Sequence, residues 1–180
     1  MAHFSSLPDD AVLTDVFRAY PETSRPLLDY HEVVMRGPSP FTAGERELIA
    51  AYVSGLNECT FCCASHSAFA AAQLDGGMHL VDQVRGNADA APISAKLRAL
   101  LRIAAAVRED GRKVTPQLVD AARDQGATDM EIHDTVLIAA AFCMFNRYVD
   151  GLGTLAPADP QAFVANAQRI VEFGYVGLGR

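Results

Sequence analysis

Cys59, Cys62 and His66 stand at positions i, i+3 and i+7 of one uninterrupted segment. In a helix that spacing puts the three side chains on one face. Two neighbouring thiols in the first turns of a helix suit redox chemistry, because the positive end of the helix dipole favours a thiolate and lowers its pKa from about 8.5. Helical cysteines three apart have Cβ atoms about 5–6 Å apart, slightly beyond the roughly 3.5–4.5 Å of a disulfide, so a small shift of the first turn closes the bond. Such a pair supports a cycle in which one thiolate attacks a peroxide and the resulting sulfenic acid is trapped by its neighbour before it oxidises further. His66, four residues after Cys62, reaches that sulfur as a general base, which makes Cys62 the attacking thiol and Cys59 the resolving one.

The imidazole needs a group that orients it and passes protons toward the departing oxygen, and Glu47 on the preceding helix is the candidate. Ala50, Ala51 and Ser54 share its side of that helix and let two helices approach closely, while Leu48, Ile49, Tyr52, Val53 and Leu56 supply apolar packing. Glu45 is assigned a different task, the reciprocal cap of Thr42. Zinc is the chemical competitor, since two thiolates, an imidazole and Glu47 make a tetrahedral set. Three ligands along one continuous helix, with no second Cys or His pair downstream, count against it. A third reading is a binding module or redox switch whose dithiol alters an interface without turnover.

Positioning these groups falls to an all-helical domain. Alanine is abundant, β-branched alternation is nearly absent, and apolar residues recur three and four apart. Helices are expected at 8–19, 24–36, 42–55, 58–73, 77–85, 93–109, 115–125, 129–150 and 159–173. Thr42-x-x-Glu45 and Thr128-x-x-Glu131 are capping boxes, Ser6-x-x-Asp9 a weaker one, Thr115 precedes Pro116 at a first helical position, and Asn57 is the expected N-cap of the cysteine helix. Glycine and proline clusters separate the elements without forming a linker. Residues 1–180 therefore form one domain, with N-terminal helices to 40, a dithiol core over 41–75 and C-terminal helices over 76–180. The tail from Phe173 to Arg180 reads as irregular.

Glu47, eleven intervening residues, then Cys59-x-x-Cys62-x-x-x-His66 resembles the signature of the AhpD-like alkylhydroperoxidases within the carboxymuconolactone decarboxylase superfamily. The likeness is clearest over residues 40–75, and Phe145-Asn146-Arg147-Tyr148-Val149-Asp150-Gly151-Leu152-Gly153 looks like the second landmark of the longer peroxidase-related branch. The resemblance implies an all-α fold of about eight or nine helices that associates as a dimer, trimer or hexamer. It further implies cofactor-free reduction of a hydroperoxide, with Glu47, Cys59, Cys62 and His66 as the proton relay and an external dithiol or protein reductant, such as one of lipoyl type, restoring the thiols. Phe61 departs from the pattern, since the best-known members carry a second histidine there. The decarboxylase members lack paired thiols, so the dithiol argues against a lactone decarboxylase.

A net charge of -7 with fifteen scattered Lys and Arg disfavours a nucleic-acid or anionic-membrane partner. Met1 to Asp10 lacks a basic start and an apolar core, and no uninterrupted apolar run approaches the roughly 20 residues of a bilayer span, so the expected location is cytoplasmic. In a reducing compartment clustered cysteines are catalytic or metal-binding before they are structural. Cys63, about 100° round the helix from Cys62, is assigned to packing, and Cys143 is an ordinary core cysteine. His3, His31, His79 and His133 are expected on the surface. Asn146, Arg147 and Asp150 are assigned to a helix-end network, Phe142, Met144 and Phe145 to core or subunit packing, and Phe61 and Tyr52 to an apolar substrate pocket.

Overall fold

Two reciprocal caps set the register of the helices that carry the site. Thr42 Oγ1 accepts the Glu45 N–H at 3.2 Å and Glu45 Oε2 accepts the Thr42 N–H at 2.9 Å. Thr128 and Glu131 repeat the exchange at 3.2 and 2.7 Å, with Lys96 closing on Glu131 at 2.6 Å. The structure, a computed structural model, describes residues 2–176. Among the described residues there are nine α-helices and no strand: α1 Leu13–Ala19, α2 Pro21–Arg36, α3 Ala43–Leu56, α4 Thr60–Ala71, α5 Gly77–Asn87, α6 Ala95–Glu109, α7 Pro116–Asp124, α8 Asp129–Leu152 and α9 Pro160–Phe173, with a short 3-10 turn at Gly111–Lys113.

Three expectations shift. Ser6-x-x-Asp9 lies in turns, and α1 begins later because Asp15, which accepts the Val12 N–H at 3.0 Å, supplies the working cap. Helix α2 begins earlier, at Pro21, whose fixed φ suits a first helical position. Asn57 closes α3, and Cys59 occupies the N-cap of α4. The reason is Glu58. Its φ of +60° is the one positive value at a non-glycine among the described residues, and it turns the chain so that the Cys59 N–H reaches Ser54 O at 3.1 Å. Such a conformation costs roughly 1–3 kcal/mol.

Helix α3 is the central element, with Leu48, Ile49, Ala50, Ala51 and Val53 buried and contacts to α4, α5, α6 and α8. Its small residues allow the expected close approach. At Gly44 a Cβ would lie 2.9 Å from Leu74 Cδ2, so the start of α3 lies directly against the segment that follows α4. Leu100, Leu101 and Ile103 of α6 and Ile138, Ala139 and Phe142 of α8 complete the core. Helix α8 has the length and mean hydropathy to cross a bilayer, yet it packs along α3 and α6 and buries Glu131, Thr135 and Asn146. Beyond α9, Gly174 at φ +68° ends the helix and Tyr175 turns inward to 2% exposure. Residues 177–180 of the expected irregular tail lie outside the described residues.

Candidate active site

Glu47 is completely buried, and every oxygen it carries is used. The Nδ1–H of His66 donates to Oε2 at 2.6 Å, the Tyr175 hydroxyl donates to Oε1 at 2.6 Å, and Arg36 Nη2 pairs with Oε1 at 2.7 Å. Helix α4 presents His66, α3 presents Glu47, α2 ends in Arg36, and the segment after α9 brings Tyr175. Burial alone would raise the Glu47 pKa; the His66 hydrogen bond, the charges of His66 and Arg36 and the Tyr175 hydroxyl outweigh it and hold the carboxyl below its ordinary value. The Tyr175 hydroxyl is pushed well up, by burial first and then by the adjacent carboxylate, and so stays protonated as a donor.

The dithiol sits at the start of the same helix. Cys59 is fully buried at the N-cap, and Cys62, in the third helical position, is 4% exposed. Each thiol lies within hydrogen-bond reach of the other. That contact with Cys62 lowers the Cys59 pKa, against burial and the neighbouring Asp150 carboxylate. Cys62 is raised by the same contact and by burial, and only the Asn146 amide acts to lower it. The first negative charge therefore rests on Cys59, the sulfur at the helix mouth, rather than on Cys62 as helical spacing had implied. Among the described residues His66 makes no hydrogen bond to Cys62; its Nδ1 is taken by Glu47. Cys63 turns away toward Gly55 and Arg85, in keeping with packing.

Cys62 and His66 open onto a cavity of about 370 Å³ walled by Phe17, Leu28, Phe61, Phe69, Phe142, Phe145, Val149 and Ile170. Phe61 belongs to this wall; Tyr52 does not, being half-buried at the core edge near Asp89. Phe142 and Phe145, expected to be plain packing, form part of the site: the Phe142 ring stands edge-on to His66 at 4.5 Å. Asn146 is buried beside the dithiol, bonded to Ser54 at 3.0 Å and Asn57 at 2.8 Å. Asp150 lies against Cys59, while Arg147 remains a helix residue that donates to Cys143 O at 2.7 Å. Among the described residues no three His, Cys, Asp or Glu side chains converge as a metal-binding group.

His31 is the largest departure from expectation. His3, His79 and His133 are exposed, as expected, but His31 lines the cavity, stacked on Tyr175 at 4.0 Å and on Phe145 at 4.7 Å. Burial, then the His66 and Arg36 charges, push its pKa down from 6.5 to about 3, against the opposing pull of Glu47. The folded protein thus refuses a proton that the unfolded chain accepts between those values. Stability is expected to fall as pH drops through that window, by on the order of 5 kcal/mol when complete. Glu47 adds to the loss only below 4.5, its ordinary value, as pH approaches its lower folded one. Urea unfolding between pH 7 and 4.5 should show this slope, and His31→Phe should flatten it; an equal slope in the variant would refute the assignment.

No protein-family model matches the sequence, and no curated protein matches it significantly. Solved structures do. An uncharacterized peroxidase-related protein from Ralstonia eutropha JMP134, with an alkylhydroperoxidase AhpD core, is 28% identical over 83% of this chain and 76% of its own, with a TM-score of 0.75. An uncharacterized peroxidase-related protein from Silicibacter sp. TM1040 is 26% identical over 92% and 80%, with a TM-score of 0.72. A protein of unknown function from Agrobacterium tumefaciens, 19% identical over 81% and 97%, shares the fold with a TM-score of 0.70.

Proposed function

Because the chain belongs to the AhpD-like superfamily, in its peroxidase-related branch, we propose that it is a thiol-dependent hydroperoxide reductase that works without a cofactor. The observation that carries this reading is the two-sided dithiol: Cys62 faces the apolar cavity beside His66, while Cys59 lies behind it, fully buried and in hydrogen-bond reach. Access selects Cys62 as the sulfur that a hydroperoxide meets. The Cys59 thiolate serves as its base, taking the Cys62 proton across the contact they share as the peroxide is attacked. The Cys62 thiolate attacks the terminal peroxide oxygen; the S–O bond forms as the O–O bond breaks, sulfur loses two electrons, and the departing alkoxide takes a proton relayed through His66 to leave as an alcohol.

Cys59, now a thiol, attacks the sulfenic sulfur. The S–S bond forms, the S–O bond breaks, and hydroxide leaves with the Cys59 proton as water. An external dithiol, a protein or lipoyl-type reductant by family likeness, then reduces the disulfide. Glu47 keeps His66 oriented throughout, and Arg36 balances the Glu47 charge so that the relay runs in a nearly neutral interior. The test is steady-state consumption of cumene hydroperoxide with dithiothreitol in excess. Many equivalents consumed per chain support the reading; a single equivalent followed by arrest favours a redox switch, and no consumption removes the peroxidase altogether.

A further inference from the structure

The lining of the cavity changes character with depth. At the floor Cys62, Ser65 and His66 are buried, at 4%, 6% and 5% exposure, among the apolar walls. Thr14 and Tyr148 are half-buried, and Arg18, Asn166 and Arg169 stand exposed at the mouth. No Asp or Glu lines the cavity, although the chain carries a net charge of -7. Glu47 behind His66 is matched by Arg36, and His31 stays neutral because burial holds its pKa down. The charge offered to an entering molecule is therefore that of two arginines, and they are not equivalent. Arg18 is paired with Asp15 at 3.0 Å. Elsewhere arginines close on carboxylates, as Arg36 and Arg102 do, or on backbone carbonyls, as Arg98 and Arg147 do, whereas Arg169 has neither kind of partner among the described residues. Its place in α9 is set by its neighbours. Ala167 and Ile170 are buried, Phe163 meets Phe61 with ring centres 6.1 Å apart, and Asn166 stands one turn before Arg169 on the same face.

We propose that the cavity takes an organic hydroperoxide that also carries a carboxylate, as a fatty-acid hydroperoxide does: Arg169 and Asn166 hold the carboxylate at the mouth while the apolar wall guides the peroxide to Cys62. This substrate class rests on the peroxidase reading and deepens it. One guanidinium without a partner matches one carboxylate, which it grips through two parallel N–H bonds, and the Asn166 amide adds a further donor. Arg18, already shared with Asp15, adds attraction at the mouth but no second seat. The hydrocarbon between the two ends displaces water along Phe17, Leu28, Phe61 and Ile170. The carboxylate takes no part in the chemistry. Cys62 breaks the O–O bond as written above, the oxygen it captures leaves as water when Cys59 closes the disulfide, and the product is the hydroxy acid with its carboxylate unchanged.

The test measures kcat/KM for linoleic acid hydroperoxide and for its methyl ester, below their micellar concentrations, in wild type, Arg169→Met and Arg169→Glu, with cumene hydroperoxide as the neutral reference. The ratio of acid to ester cancels any general effect of a substitution on folding or on the thiols. Wild type is expected to favour the acid by ~10-fold, the lower end for charge-assisted hydrogen bonds because the mouth stays wet, and added salt should shrink the preference. Arg169→Met should lose it, chiefly through KM, and Arg169→Glu should invert it. A wild type that reduces cumene hydroperoxide yet treats acid and ester alike, or accepts neither, overturns the carboxylate seat and leaves the peroxidase reading in place. An acid preference that survives in Arg169→Met overturns the assignment to Arg169. A wild type that consumes no hydroperoxide overturns both readings.

Discussion

Cys62→Ser is expected to abolish peroxide-driven dithiol oxidation, with a loss of at least about 10³-fold in kcat/KM, since a hydroxyl is neither ionised near neutrality nor able to form a sulfenic acid. Cys59→Ser should behave differently. Its Cys62 keeps access to the cavity but loses both the acceptor for its proton and the sulfur that resolves the product. It should therefore react once, roughly 10–100-fold more slowly than wild type, and stop at a sulfenic acid that dimedone traps. Mass spectrometry of the adduct tests the division of labour. Charge favours Cys59 and access favours Cys62, and the mechanism requires access to decide where oxygen lands. A dimedone adduct on Cys59 in the Cys62→Ser protein would reverse the assignment.

Glu47→Gln should be the most damaging single change away from sulfur. The amide offers no charge to Arg36, whose side chain is only 14% exposed, and it competes poorly as an acceptor for the His66 N–H and the Tyr175 hydroxyl. Breaking one side of a buried ion pair costs about 3–5 kcal/mol, which in a domain of this size lowers the melting temperature by roughly 10 °C. Turnover should fall by about 10²–10⁴-fold, because His66 loses its orientation and its proton partner. Arg36→Met in the same chain separates the two effects: it removes the stranded cation and should restore much of the stability while leaving turnover low. Recovery of activity in the double variant would show that Glu47 only balances charge.

The sequence exposed what one helix can reveal about itself. Cys59, Cys62 and His66 share a face because helical periodicity demands it, and Thr42 and Thr128 mark helix starts because their caps are local. Glu47 was reachable because it lies one helix away, across a stripe of small residues. Arg36, His31 and Tyr175 were not, since their places depend on how separate helices cross; Tyr175 and Glu47 are 128 residues apart in sequence. A signal for His31 did exist. Leu27, Leu28, Val34 and Met35 flank it at helical spacings of three and four, which marks it as part of the inward stripe of α2 even though Tyr30 and Glu32 adjoin it. The charge on Cys59 was hidden because Glu58 moves the helix start by two residues beyond Asn57, and a left-handed glutamate leaves no mark in the pattern.

Tyr175 ties the far end of the chain to the middle of the molecule: its N–H donates to Glu32 on α2 at 2.6 Å while its hydroxyl holds Glu47 on α3. Gly174 is needed there, since its φ of +68° is a conformation that residues with a side chain rarely adopt. Helix α9, which delivers this clasp, buries only Ala167 and Ile170 along its length and is therefore a natural first unit to detach. Its release floods the carboxylate with water while the α3–α4 hairpin stays intact. On warming, the protein should fall silent with only the small loss of helical circular dichroism that one 14-residue helix carries, and survival of activity at high temperature would be governed by the seating of that helix.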